Sequence, residues 1–165
     1  MTDQTTPERR GVRMSEEEAW AMLDRSLVGI LTTLRRDGRA VSLPVWFAAF
    51  DRKIYVRTPA KTRKVAHVRN DPRATFLVER GEKWIELCAV MVYADAEVLD
   101  PGEEYDAASS AITAKYAGFG MDAEAMGGKK VPDATKEHYA GRAAVLRLTP
   151  TERPVTWDNS RLRLQ

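Results

Sequence analysis

The stretch LVGILTTLRRDGRAVSLPVWFAAFDRKIYVRT, residues 27–58, decides the fold. Short apolar and β-branched runs are broken by two tight-turn signals. Asp37-Gly38 supplies the positive φ that a hairpin turn demands. Asp51-Arg52-Lys53 supplies a second reversal. Three strand candidates therefore follow one another in antiparallel order. In the second, Val41, Leu43, Val45 and Phe47 are expected on one face, and Ser42, Pro44 and Trp46 on the other. Pro44 cannot donate to a ladder, so this strand is an edge or is bent there. With Ser42 and Trp46 on its second face, it is either a ligand wall or a half-exposed edge.

Upstream, SEEEAWAMLDRS (15–26) reads as a helix, with Ser15 as N-cap and Glu18 at capping-box spacing. Its Trp20 and Leu23 share a face that covers a sheet. Downstream, KTRKVAHVRND (61–71) is a short helix anchored by Val65 and Val68 and ended by Asp71-Pro72. RATFLVE (73–79) is a strand, and KWIELCAVMVYADAEVLD (83–100) is one long strand or a bent pair. PGEEYDAASSAITAKYAG (101–118) is helical, opened by Pro101 and stopped near Gly118. Residues 119–136 read as a loop or lid, AAVLRLTP (143–150) as a last core strand, and 153–165 as a terminal segment with an exposed Trp157. The sum is a mobile segment 1–14 and one domain, 15–165, with six or seven antiparallel strands. Hairpins joined by one short helix favour a β-barrel with helical covers.

The 165 residues suffice to bury roughly two-thirds of the unfolded surface in one core. With 26 basic and 24 acidic residues the net charge is +2, a weak field that argues against a dedicated DNA-binding protein. The single cysteine, Cys88, excludes an internal disulfide and sits in an apolar run, where it reads as a core residue. His67 and His138 are far apart and lack partners at ligand spacing, so no metal site is expected. No apolar run approaches the roughly 18 residues of a membrane helix. The start MTDQTTPERRGVR has no apolar signal core, which leads us to expect a cytoplasmic protein without nucleic-acid or membrane partners.

Six cations lie between Arg57 and Arg73. A solvated helix face, a nucleic-acid patch and a phosphate seat would each use them. Their address favours the last. Arg57, Thr58, Lys61, Thr62, Arg63 and Lys64 cluster where a strand ends and a helix begins. Free backbone N–H groups and the helix dipole already favour an anion there. That first turn contains no Asp or Glu, although the dipole favours acids. Arg69 and Arg73 read as surface charges around the Asp71-Pro72 turn.

Strand, then Thr62-Arg63-Lys64 opening a helix, then Asn70-Asp71-Pro72 and a strand, resembles the flavin-binding split-barrel superfamily of pyridoxamine 5′-phosphate oxidase. The hairpin with its Pro-Val-Trp-Phe strand, and AEVLDPGEE (96–104), are similar to that family as well. The resemblance spans about Ser15 to Leu162. It implies a mainly β fold with helices, a six- to seven-stranded antiparallel split β-barrel of the FMN-binding type. It also implies a homodimer holding its cofactor between subunits. The cofactor ring would lie against Ser42, Pro44, Val45 and Trp46. The phosphate would meet Arg57, Thr58, Thr62, Arg63 and Lys64, and Lys61 would reach the same anion or, for the deazaflavin F-420, its acidic glutamyl tail. Trp157, Tyr105 and Tyr116 would cover the substrate side. True pyridoxamine phosphate oxidases end in an Arg-Leu-His-Asp-Arg type motif, whereas RPVTWDNSRLRLQ has no His. VTWDNSRL instead is similar to the ending of members that use the deazaflavin coenzyme F-420. The implied activity is hydride transfer to a small conjugated substrate, with F-420 as first choice, FMN as the alternative cofactor, and a non-enzymatic flavin or haem carrier as a further reading.

Overall fold

A computed structural model describes residues 11–120 and 129–162. Most of the segment expected to be mobile, residues 1–10, and the centre of the expected lid, 121–128, lie outside the described residues. Helix α1 (Glu16–Arg25) leads into strands β1 (Gly29–Leu34), β2 (Ala40–Val45), β3 (Ala48–Phe50) and β4 (Lys53–Pro59). Helix α2 (Arg63–Asn70), β5 (Arg73–Arg80) and β6 (Cys88–Val98) follow. Helices α3 (Glu103–Lys115) and α4 (Asp133–Tyr139) precede β7 (Ala143–Pro150) and β8 (Val155–Asp158).

Local signals place these elements. The Ser15 hydroxyl accepts from the Glu18 N–H at 3.2 Å, and the Glu18 carboxylate accepts from the Ser15 N–H at 2.7 Å, closing the capping box. Gly38 turns the first hairpin at φ 80°. Asp51 and Arg52 turn the second at φ 50° and 56°, the left-handed pair of a two-residue hairpin loop. Val65 and Val68 are the buried residues of α2, as their i, i+3 spacing requires.

Among the described residues the strands form one eight-stranded antiparallel sheet, two strands beyond the lower expectation and one beyond the upper. One extra strand is β8, whose VTWD reads as a tail until it meets β6. The other arises because the long second strand breaks at Trp46-Phe47 into β2 and β3. That break closes the barrel. In the strand order β2-β1-β5-β6-β7-β4-β3, β2 and β3 occupy opposite ends. A flat sheet would hold them apart by six strand spacings, about 29 Å. Val45 to Ala48 is three chain steps, at most about 11 Å. The sheet must curl until its ends meet at Trp46-Phe47. It parts along β6, whose one edge is shared by β7 (Ala94 to Val98) and β8 (Cys88 to Met91).

The curled inner face carries the main core, where Phe47 and Phe76 meet edge to face at 4.7 Å between two fully buried rings. Helix α1 adds Ala19, Met22 and Leu23 to it, α2 adds Val65 and Val68, and Cys88 is buried among them. A smaller cluster joins Ile112 and Tyr116 of the α3 region to Tyr55 and Val145 on the outer face. Glu104 holds α3 there, accepting from Tyr55 at 2.8 Å and from Arg147 at 2.6 Å. Residues 133–139, within and just past a stretch that reads as loop, form α4, which has no buried residues.

Candidate functional site

The β4–α2 junction carries the acid-free basic turn. Thr58, the penultimate residue of β4, is buried and pairs with Ala144 of β7. Its hydroxyl lies 3.3 Å from the Thr62 hydroxyl and accepts from the Lys64 ammonium at 3.3 Å. Thr62 is the N-cap of α2, yet its side chain caps no backbone N–H. The hydroxyl is turned to Thr58 instead, and the first turn keeps free donors. Burial pushes the Lys64 pKa down from the usual lysine value. Among the described residues no carboxylate lies within 4.0 Å of Arg57, Lys61, Arg63 or Lys64. Arg57 donates to the Thr113 hydroxyl at 3.1 Å and Lys61 to the Glu137 carbonyl at 3.2 Å, so α3 and α4 border the junction. Arg73, by contrast, is spent on Asp71, donating to both carboxylate oxygens, which holds the Asp71 pKa down at about 2.

The four cations and two hydroxyls suit a phosphate group. The ammonium and hydroxyl are prepositioned, and no acid in the described residues neutralises them. Charge-assisted bonds of this kind are the strong ones.

The β2 wall is a separate group. Thr32 and Ser42 hydroxyls meet at 2.8 Å on the outer face, and Pro44 stands beside Ile30 on the same face. As an edge strand β2 tolerates Pro44. The expected alternation holds only in part, since Leu43 is 43% exposed. Val45 needs correction as a ring contact, because its side chain is buried in the core. Trp46 keeps 42% of its surface exposed, with one face stacked on Tyr116 at 4.5 Å and 5° between planes. No hydrogen bond among the described residues joins this wall to the basic junction.

The three aromatics expected over the substrate take other places. Tyr116 is buried, its hydroxyl accepting from the Phe47 N–H at 2.9 Å and sharing its one proton between the Leu27 carbonyl at 2.8 Å and the Phe47 carbonyl at 2.9 Å. It therefore supports Trp46 from behind. Tyr105 is half-buried and donates to the Ala143 carbonyl at 3.1 Å. Trp157 is half-buried in β8 opposite Ala89. The basic turn sits at the start of α2: Thr58 pairs with Ala144 of β7, two residues from Leu146, which faces Val98 on β6, nine residues or about 30 Å from Ala89. Within one chain Trp157 does not reach the basic turn. Sequence reasoning missed the Thr33–His67 contact, a buried hydroxyl 3.0 Å from Nδ1, because nothing local links residues 34 positions apart.

Tyr116→Phe tests the support. It leaves the buried Phe47 N–H without its partner, and the expected cost is about 1–2 kcal/mol, read by urea denaturation. Unchanged stability would mean that water replaces the hydroxyl.

Among curated proteins none matches this chain by sequence. Solved structures do. A conserved hypothetical protein from Mycobacterium tuberculosis is 25% identical, with 97% of this chain and 94% of that one covered at a TM-score of 0.76. An FAD-binding protein from Mesorhizobium loti is 15% identical, with 86% and 91% covered at a TM-score of 0.63. A heme storage protein from Vibrio cholerae is 12% identical, with 86% and 94% covered at a TM-score of 0.64. The last two show a shared fold alone. The family model described as pyridoxamine 5′-phosphate oxidase matches residues 15–154, from the cap of α1 to the turn before β8. The chain belongs to the pyridoxamine 5′-phosphate oxidase family, with the split-barrel fold of its relatives.

Proposed function

We propose that this protein is an oxidoreductase that binds a phosphate-bearing flavin or deazaflavin at the β4–α2 junction. The observation that carries this is Lys64: a half-buried ammonium held on Thr58, at the open first turn of α2, with no carboxylate partner among the described residues. Thr58, Thr62, Arg63 and Lys64 would hold the phosphate, with Arg57 and Lys61 at its border. The bound ring supplies hydride-transfer chemistry. The chain's own residues need only position it and exclude water. That suits a site with no Ser-His-Asp or paired-carboxylate arrangement among the described residues.

Ser42, Pro44 and Trp46 would wall the ring from a second copy of the chain. The outer sheet face supports a homodimer. Pro44, Ile30, Leu77, Met91 and Val155 stand in register across five strands as one outward apolar row. Tyr93 on the same face is 41% exposed. Rows of this kind mark protein–protein contacts. In such a dimer the partner's Trp157 would be the one to cover the site, which Trp157 does not reach in its own chain.

F-420 is the preferred cofactor and a small conjugated molecule the substrate class. Residues 153–165 contain no His, which favours that choice over pyridoxamine phosphate oxidation. FMN titration against F-420 titration, followed by fluorescence, tests it. The expected result is saturable binding of both, with F-420 tighter, and turnover of a reducible substrate only with reduced cofactor. Failure of both to bind would sink the reading, and binding without turnover by any reductant would leave a carrier. Sedimentation should give a dimer; a monomer at micromolar concentration would remove the shared site.

A further inference from the structure

Beside the Pro44–Trp46 wall lies a groove of about 260 Å³, lined by Ser26, Leu27, Val28, Ile30, Leu77 and Glu79. Two contacts fix its place. Ile30 stands opposite Pro44 on the outer face of the sheet. The Leu27 carbonyl accepts from the Tyr116 hydroxyl, the same group that holds Phe47, the residue after Trp46. The groove therefore adjoins the wall assigned to the cofactor ring, not the basic turn. Its volume falls just under the roughly 300–1,000 Å³ of drug-sized pockets, so its occupant is small.

The lining is apolar, and its polar part only accepts. Leu27 and Val28 keep 42% and 51% of their surface exposed. Ser26 spends its hydroxyl proton on the Met22 carbonyl at 2.7 Å, which leaves lone pairs alone. Glu79 is exposed on β5 and has no cation within 4.0 Å among the described residues. Trp157 stands in the same cross-strand row. It lies opposite Ala89, and Ala89 opposite Glu79, two strand spacings or about 10 Å in all. Ala89 between them is small yet buried, so its larger neighbours close over it. An aromatic ring and an unpaired carboxylate at the edge of an apolar groove together favour an organic cation.

We infer that this groove is the substrate subsite and that its occupant is a small planar cation, a conjugated ring of the pyridinium or iminium kind. The inference rests on the oxidoreductase reading above and narrows its substrate class. The chemistry agrees with the lining. A neutral conjugated acceptor takes a hydride and a proton, and this lining offers acceptors rather than donors. A cationic acceptor takes the hydride alone: one C–H bond forms with the electron pair of the reduced flavin or deazaflavin, and the positive charge is neutralised without a proton. Glu79 attracts the substrate most before that charge is lost, so its attraction acts on KM rather than on kcat. The neutral product loses that attraction and leaves.

The test compares the N-methylquinolinium cation with neutral quinoline, two probes of similar shape and different charge. Titration calorimetry gives dissociation constants for both with the full chain, saturated with oxidised F-420 or FMN, and with its Glu79→Gln variant. The cation should bind the wild type more tightly than quinoline, and high salt should erode that advantage. Glu79→Gln should lower the ratio of cation to quinoline affinity about fivefold, the scale of an exposed ion pair. Cofactor affinity and sedimentation should stay in place. With reduced cofactor, the loss for the cation should appear in KM. Equal affinity of the wild type for both probes, or a ratio that ignores Glu79, overturns the cation assignment, while cofactor binding keeps the oxidoreductase reading. Weaker cofactor binding in Glu79→Gln makes the groove part of the cofactor's own seat, and loss of the dimer makes Glu79 an interface group; either overturns the substrate subsite. A wild type that binds neither cofactor removes the oxidoreductase reading, and the substrate role falls with it.

Discussion

Lys64→Ala should weaken binding of a phosphate-bearing cofactor by about 1.5–3 kcal/mol, the range for hydrogen bonds to charged groups. In dissociation constants this is about tenfold to a hundredfold or more. The physical reason is the cost already met in the free protein. Burial disfavours the Lys64 charge, and its present partner is a neutral hydroxyl. A phosphate oxygen replaces water and hydroxyl with an opposite charge, in a setting less screened than the surface. Lys64→Met separates charge from packing, since it keeps most of the aliphatic stem. Both variants should lose affinity alike, with melting temperatures near that of the parent. An unchanged dissociation constant in Lys64→Ala would reduce Lys64 to a surface lysine and remove the central support for the phosphate seat.

Phe47→Ala should lower stability by about 3–5 kcal/mol. Phe47 is fully buried at the corner where the barrel closes. Its ring packs on Phe76 and carries the Lys115 ammonium 4.1 Å from its centre. That ammonium is buried without a hydrogen-bond partner among the described residues, so the ring face is its main compensation. The backbone at Phe47 cannot readily collapse into the space left behind, because its N–H and C=O are both tied to the Tyr116 hydroxyl. A cavity that persists puts the loss high in the range. Phe47→Leu keeps most of the volume and should cost clearly less. Chemical denaturation measures both; a loss below about 1.5 kcal/mol for the alanine variant would show that the corner relaxes freely.

Local sequence carries one of these two residues and not the other. Lys64 was legible because its signal lies within a few residues: a strand end, a first turn without acids, and hydroxyls beside cations. Phe47 was legible as an apolar position but not as the closure point. Its importance comes from β2 and β3 lying at opposite ends of the strand order, which no window around residue 47 contains. The same limit explains Tyr116. An aromatic at the end of a helix reads equally as a lid or as packing. Only its bonds to Leu27 and Phe47, across 89 and 69 residues, assign it to support. The shortest strand, β3, reads as the end of one long strand and β8 as a tail, because three or four residues carry too little alternation to register.

By itself the sequence determined the antiparallel hairpins, the capping of α1, the valine anchors of α2 and the address of the basic turn. Each of these is set by turn chemistry, periodicity or the helix dipole, which act over a few neighbouring residues. Only the tertiary structure decided that the sheet curls shut at Trp46-Phe47 and that Val45 faces the core. It also decided that Tyr116 backs Trp46, and that Leu27 and Glu79 meet in one groove. Those outcomes depend on which strands become neighbours. That is fixed by burying the apolar faces of the whole chain together, and no local segment holds that information.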